Sequence, residues 1–467
     1  DAIDTYKKAV SLKPNYSKAH NNLGASLHEL ARFDDAISAF TKALALAPDY
    51  AEAYNNLGTT LHEQGQFDDA LQAYNKALSL QPDDAEIYNN LGATLNAQDK
   101  FDEAIDIFHK ALSLTPDYAE AYNNIGVSRK EQGKFDDALQ AYSKALVLKP
   151  DYADAHWNSS FAYHLTGDVK AGFAQYEKRF FRKEQIARSP RPHLTCDGKE
   201  LLEGAKVVVY EEQGLGDIIQ FSRYLPILEE NGASVLFKVT SRLHTLLKTL
   251  EGNISLITEF PEDTPITYET PLLSLPHLLG TDLTNIPSAP YYLEAGGELI
   301  SEWGKKLHSS RFKIGICWQG SLAKIDKGRS FPLTLFQDIS RIPEVELISL
   351  HKGEGETQLN QIDFPITSLS NDFDSGDEAF IDTAAVMKNC NLIITSDTAI
   401  AHLGGALGCT TWVVLKHIPD WRWMMNRSDS PWYPSMSLYR QKNAGNWHHV
   451  FSELKVDLLA LINRSHG

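Results

Sequence analysis

From residue 1 to about residue 187 the apolar positions return every 34 residues. Phe33, Phe67, Phe101 and Phe135 keep that step, as do Gly24, Gly58, Gly92 and Gly126, and Pro14, Pro48, Pro82, Pro116 and Pro150. One unit reads AYNNLGTTLHEQGQFDDALQAYNKALSLQPDD. It has two stretches of helical period, a Gly-centred turn between them, and a Pro that stops the second. Residues 1–16 read as the second helix of a unit whose first helix would precede Asp1. At Lys206 the pattern changes. KVVVY, SVLFKV and ISLIT are short apolar runs of the buried parallel-strand kind, alternating with amphipathic stretches such as IIQFSRYLPILEENG and RLHTLLKTL. A second series runs KIGICWQGS, VELISLHKGEGE, IDTAAVMKNC, NLIITSDTAIAHLGGALG and CTTWVVLKH. The final FSELKVDLLALINR sets Phe451, Leu454, Leu458 and Leu461 on one face, as a closing helix does.

The 34-residue unit closely resembles the tetratricopeptide repeat, and the resemblance implies helix pairs stacked into an α-solenoid with the first helices on its concave face. The array is expected over residues 1–187. Its last, charged helix, YEKRFFRKEQIAR, is stopped by Pro190 and Pro192, which puts a linker at 188–203. The remainder divides into two Rossmann-like domains, 204–300 and 301–467, facing one another. Within the array, Asn22, Asn56, Asn90, Asn124 and Asn158 also recur every 34 residues. Each costs about 0.5 kcal/mol against Ala in a helix interior. Two readings follow: residual copying between near-identical units, or a ladder of carboxamides that clamps the backbone of an extended peptide. The last unit favours the ladder, because it keeps Asn158 while Trp157 replaces the neighbouring Asn. The ladder is similar to one in the repeat region of O-GlcNAc transferases.

In SDTAIAHLGGALG, residues 396–408, an apolar strand runs into a helix that carries little but small residues. A helix starting at Asp397–Thr398 offers unpaired amides and a positive dipole end beyond the carboxyl edge of the strand, a natural anion seat. Ala399, Ala401, Gly404 and Gly405 leave room for a bulky ligand. His402, four residues after Thr398, shares its face. Singly these residues read as helix caps and a core histidine; together they point to phosphate.

SDTAIAHLGGALG resembles the D-T-x-x-x-H-L-x-x-A-L-G segment of the lipopolysaccharide heptosyltransferase family. QGLGDIIQFSRYLPIL is similar to that family's N-terminal Gly-x-Gly-Asp segment. The resemblance implies an inverting, metal-independent glycosyltransferase of the GT-B fold, with no cofactor beyond a nucleotide-sugar donor. It makes Asp217 the counterpart of the proposed general base; the plain alternative is an N-cap for a helix starting at Ile218. Gly214 and Gly216 let backbone approach substrate. The resemblance sets the diphosphate against the amides of Thr398 and Ala399, with Asp397, His402, Arg329 and Lys352 nearby. Arg329 stands for a family lysine, and Lys352 resembles a lysine of O-GlcNAc transferases; each also reads as a solvated surface cation. Trp318 and Gln319 follow the first strand of the second domain, a usual place for base or sugar contact. Arg422, between Trp421 and Trp423, either stacks on a base or anchors the hinge, and the aromatic stretch around it also reads as a lid or core plug. Fusion of repeats to such a domain is similar to bacterial repeat-containing protein glycosyltransferases, including those that modify flagellin.

The formal charge of −17, from 61 acidic and 44 basic residues, contains no basic stripe and argues against a duplex-nucleic-acid role. GLGD lacks the third glycine of a dinucleotide fingerprint, and no P-loop occurs. Asp372 and Asp374 in NDFD form a D-x-D, but in a polar loop. Cys196, Cys317, Cys390 and Cys409 are scattered without metal or redox spacing, as buried reduced thiols in a cytoplasmic protein are. No apolar run approaches membrane-spanning length. The expectation is thus a solenoid that captures a protein acceptor and can self-associate, joined to a transferase that links a sugar to Ser or Thr. Its alternatives are a glycan or lipid-linked acceptor, and a scaffold whose sugar-nucleotide fold is inactive.

Overall fold

A computed structural model describes residues 2–181, 203–260, 265–320, 328–370 and 372–465. The chain forms two compact units, one of residues 1–162 with 178–183 and one of residues 163–177 with 184–467. Pro190, Pro192, Cys196 and the expected 188–203 linker, apart from Glu203, lie outside the described residues.

The first unit is a run of antiparallel helix pairs. Helix α1 (Ala2–Leu12) precedes the pairs α2 (Ser17–Glu29) and α3 (Phe33–Leu46), α4 (Ala51–Glu63) and α5 (Phe67–Leu80), α6 (Ala85–Ala97) and α7 (Phe101–Leu114), and α8 (Ala119–Glu131) and α9 (Phe135–Leu148). α10 (Ala153–Thr166) opens the last pair. The repeated glycines set the pair geometry. A Cβ at Gly92 would lie 2.6 Å from the Phe108 ring, and one at Gly58 2.7 Å from Tyr74, so only glycine lets the aromatic of the second helix close over the first. Acidic pairs such as Asp68–Asp69 sit in the first turn of α3, α5, α7 and α9, where they complement the dipole.

Successive repeats are also stitched by polar ladders. Asn56 Nδ2 donates to Asn21 Oδ1 at 3.0 Å, Asn90 to Asn55 at 3.2 Å, Asn124 to Asn89 at 3.0 Å and Asn158 to Asn123 at 3.0 Å. Gln64, Gln98 and Gln132 reach back to Asp34, Asp68 and Asp102, each at 2.8 Å. The asparagines read as a peptide ladder therefore spend an N–H on the preceding repeat. Trp157 stands at the position that Asn21, Asn55, Asn89 and Asn123 hold as acceptors in the earlier repeats. The retention of Asn158 in the last unit thus has a structural explanation, its bond to Asn123, that does not need a peptide.

The second unit begins earlier than the expected boundary. α11 (Val169–Tyr176) belongs to it, with Phe173 and Tyr176 buried and packed around Trp421. Two parallel sheets follow. β1 (Lys206–Tyr210), β2 (Ser234–Lys238), β3 (Ser255–Ile257) and β4 (Tyr268–Pro271) lie in the order β3-β2-β1-β4. β5 (Phe312–Cys317), β6 (Val345–Ser349), β7 (Leu392–Ser396), β8 (Thr411–Leu415) and β9 (Met436–Arg440) lie in the order β6-β5-β7-β8-β9. Strands β7 and β8 are buried along their whole length, which explains their unbroken apolar runs. Helices α12 (Leu215–Phe221), α13 (Leu225–Glu230), α14 (Gly297–Lys306), α15 (Ile381–Lys388), α16 (Ala399–Ala406) and α17 (Trp447–Ser465) cover the sheets. α17 closes the second sheet: Phe451, Leu454 and Leu458 are buried with Phe331 and Phe336, and Leu461 packs at the margin.

Strand order reverses at β1/β4 in the first sheet and at β5/β7 in the second. Outside the carboxyl ends of strands at such switch points, open α/β sheets bind ligands. β1 feeds α12, β7 feeds α16, and these two helices pack directly on one another.

Candidate functional site

β7 ends at Ser396, Asp397 follows it, and Thr398 occupies the N-cap of α16 in extended conformation. No side chain caps the helix: Thr398 Oγ1 instead lies 3.3 Å from Thr395 Oγ1. Thr398 and Ala399 are half-buried rather than sealed. Asp397 is only 6% exposed, its Oδ2 makes no hydrogen bond, and Arg329 Nη1 stands 4.0 Å from that oxygen. Burial, and then the neighbouring Asp420, push the Asp397 carboxyl up to about 6. A Cβ at Gly216 would meet His402 Cδ2 at 3.0 Å and Ala399 Cα at 3.3 Å, so bare backbone at Gly216 brings α12 against the first turn of α16.

Asp217 sits in the first turn of α12, which starts at Leu215, so the expected N-cap role is replaced by a reciprocal one. Asp217 Oδ2 accepts the Gly214 amide at 3.0 Å, and Oδ1 accepts from Arg422 Nη2. Arg422 is the hub. Its Nε donates to Gln220 Oε1 at 2.9 Å and its Nη1 to Asp420 Oδ1 at 2.8 Å, and it stacks 4.2 Å from the Trp421 centroid. At 7% exposure it is committed to joining α12 to the loop after β8, which favours the anchor over a base contact. Arg223 does the same nearby: Nη1 donates to Pro287 O at 2.9 Å and to Trp432 O at 2.5 Å.

Other expected residues fall differently. His402 is 5% exposed, stacked on Trp423 at 5.3 Å, with Nδ1 3.0 Å from Tyr433 Oη. Burial and then Arg422 hold its pKa down to about 3, so the ring is neutral at pH 7 and offers a hydrogen bond, not a charge. Gly404 and Gly405 do not leave room for a ligand. Cβ atoms there would lie 2.5 Å from Thr411 Oγ1 and 2.2 Å from the Tyr433 ring, so neighbouring side chains already fill that face. Trp318 is fully buried in the second sheet's core and stacked on His351 at 4.3 Å, so no face of its ring is exposed for a base or sugar. Gln319 is half-buried and accepts from Gln358 at 3.0 Å. Lys352 is exposed, as a surface cation is, and its ammonium donates to the carbonyls of Phe373 and Asp374. Asp374 accepts from the Asp382 amide at 2.8 Å while Asp382 accepts from the Asp374 amide at 2.9 Å, so the second carboxylate of the D-x-D is spent tying the loop to α15. Cys317 is buried, and Cys390 and Cys409 are half-buried free thiols.

Gln220, Arg223, Asp420 and Tyr433 were not read as site residues. Two of them left a trace: Asp420, two positions before Arg422 in DWRW, and Tyr433, in the same aromatic stretch that reads as a lid or core plug. The others emerge from which helix faces which loop.

The architecture defines a repeat scaffold followed by parallel α/β sheets. Tetratricopeptide-repeat profiles match residues 15–83 and 83–151, and a further one matches 123–181, so the N-terminal region consists of such repeats, a protein-interaction scaffold. Protein FlbA of Caulobacter vibrioides is 24% identical over 329 residues, 62% of this chain and 52% of FlbA. The chain thus spans about half the length of that curated relative. Among solved structures, MamA is 28% identical over 37% of this chain and 95% of its own, with a TM-score of 0.31. YrrB, described as a TPR protein with an unusual peptide-binding site, is 20% identical over 39% of this chain and 95% of its own, also at 0.31. Among the described residues no helix is long and apolar enough to cross a membrane.

Proposed function

We propose that the second unit is an inverting, metal-independent glycosyltransferase of the GT-B type, moving a sugar from a nucleotide sugar to Ser or Thr of a protein held by the repeats. The observation that carries this reading is the uncapped start of α16, half-open beyond β7, with Asp397 and Arg329 beside it and the Asp217 turn of α12 opposite. In this mechanism the acceptor oxygen attacks the anomeric carbon as the bond to the diphosphate oxygen breaks, and Asp217 takes the hydroxyl proton. General-base help of this kind is worth about 10²–10⁴ in rate. Each Asp217 oxygen keeps a lone pair beyond those engaged by Gly214 and Arg422, and the side chain is 17% exposed. The α16 amides and Arg329 meet the charge that grows on the leaving diphosphate; one such preorganised donor contributes about 3–4 kcal/mol.

One observation favours the rival, an inactive scaffold: Asp217 and Lys352 are both held by protein groups. Thermal-shift measurements against UDP, GDP, ADP, TDP and CMP separate the two. A donor site gives a shift with one of them; silence across the panel supports the scaffold. Mass gain on a co-expressed acceptor protein, lost in Asp217→Ala with nucleotide affinity kept, is the result expected of the transferase. Mass gain on a glycan or lipid alone would move the acceptor class, and turnover retained by Asp217→Ala would remove it as the base.

A further inference from the structure

We infer that Tyr433 is a positioning residue: its hydroxyl fixes His402 as the tautomer protonated at Nε2, so that a neutral imidazole turns an N–H toward the start of α16. The tautomer stands on geometry alone; its use in holding an anion rests on the transferase reading.

Tyr433 is 1% exposed, and its phenol oxygen lies 3.0 Å from His402 Nδ1. A buried hydroxyl needs an acceptor for its proton. The Arg223 guanidinium, 4.4 Å over the Tyr433 ring, has only donors. Tyr292, which also interacts with the Tyr433 hydroxyl, gives its own proton to Ile219 O at 2.8 Å and already accepts from Arg223 Nη2 at 3.0 Å. Nδ1, at 3.0 Å, is the acceptor the geometry assigns to the Tyr433 proton, and a neutral ring that accepts at Nδ1 carries its hydrogen on Nε2. Burial pushes the Tyr433 phenol well above its ordinary pKa, so it keeps the proton it donates.

The ring cannot turn away from this arrangement. Trp423 covers its face at an interplanar angle of 17°, and bare Gly405 lets Tyr433 lie against α16. Cδ2, the carbon bonded to Nε2, is the His402 atom nearest the position of a Cβ on Gly216. The Nε2 edge thus turns to the junction of α12 with the first turn of α16. A donor there serves an anionic oxygen and repels nothing, whereas the other tautomer would present a lone pair.

The test uses the full chain labelled with 15N-histidine, His402 being assigned by the signal lost in His402→Gln. At pH 7 the wild type is expected to show Nε2 protonated and Nδ1 bare, and Tyr433→Phe to shift the ring toward a mixture. Calorimetric titration with inorganic pyrophosphate is expected to show binding to the wild type and about tenfold weaker binding to Tyr433→Phe, the scale of one lost hydrogen bond. A proton on Nδ1 in the wild type, or a tautomer unchanged by Tyr433→Phe, overturns the inference whatever pyrophosphate does. So does equal pyrophosphate affinity in the two proteins once the tautomer has changed. A wild type with the expected tautomer and no pyrophosphate binding supports Tyr433 as the tautomer's source and counts against the transferase instead.

Discussion

Asn124→Ala tests whether the recurring asparagines staple repeats or wait for a peptide. Asn124 Nδ2 donates to Asn89 Oδ1 at 3.0 Å, and Asn89 is 8% exposed. Truncation leaves that acceptor buried and unpaired, at a cost of about 1–3 kcal/mol. Ala in place of Asn returns about 0.5 kcal/mol of helix propensity. The net expectation is a loss of about 1–2 kcal/mol, confined to the contact between α6 and α8. Because the chain has two compact units, one unfolding midpoint would blend them, so the suitable assay is native-state hydrogen exchange read by mass spectrometry. Amides of α6 and α8 should lose about tenfold in protection, while those of β7 and β8 stay unchanged. Replacing both partners, Asn89→Leu with Asn124→Leu, removes acceptor and donor together and should recover most of the loss. Protection that holds or rises in Asn124→Ala would refute the staple and return the asparagines to a peptide.

Arg422→Met strands Asp217 and Asp420 without their shared guanidinium and should destabilise the second unit by about 3–5 kcal/mol, followed through the fluorescence of Trp421, Trp423 and Trp432 in urea. Adding Asp420→Asn should restore part of it; an unchanged midpoint in Arg422→Met would refute the hub. The Asp397 carboxyl is raised to about 6, so the folded state holds the extra proton and this group's contribution falls as pH climbs from about 4 to 6. His402, lowered to about 3, contributes stability that grows over about pH 3–6.5. The two slopes oppose one another, so Asp397→Asn should make stability climb more steeply between pH 4 and 6 and His402→Gln should tilt it the other way, as thermal midpoints would record. Gly216→Ala puts a Cβ 3.3 Å from backbone at Ala399, which cannot swing aside, and should cost about 1–3 kcal/mol in the same urea assay.

The solenoid was legible because its period is written in side chains that only one geometry satisfies: bare glycine under an aromatic ring, every 34 residues. Most strands were legible from unbroken apolar runs. β4 and β9 were not. YETP carries Glu269 and ends in Pro, and MSLYR alternates at a sheet edge behind an aromatic loop, so neither advertises burial. At the site, the sequence located Asp397, Thr398 and His402 at one junction but could not say which way a side chain turns. Trp318 follows its strand into the core, and Lys352 folds back onto carbonyls; both outcomes depend on loops distant in sequence. The asparagine pairs were visible as a period, yet their bonds join residues 35 apart, a register that exists only once repeats are stacked.

That register makes the array modular. Asn21, Asn55, Asn89 and Asn123 each offer an acceptor to the next repeat, so excising residues 51–84 would hand Asn90 to Asn21 with no amide orphaned. Gene copying or loss in whole units could therefore lengthen or shorten the reach of the solenoid without redesigning either end.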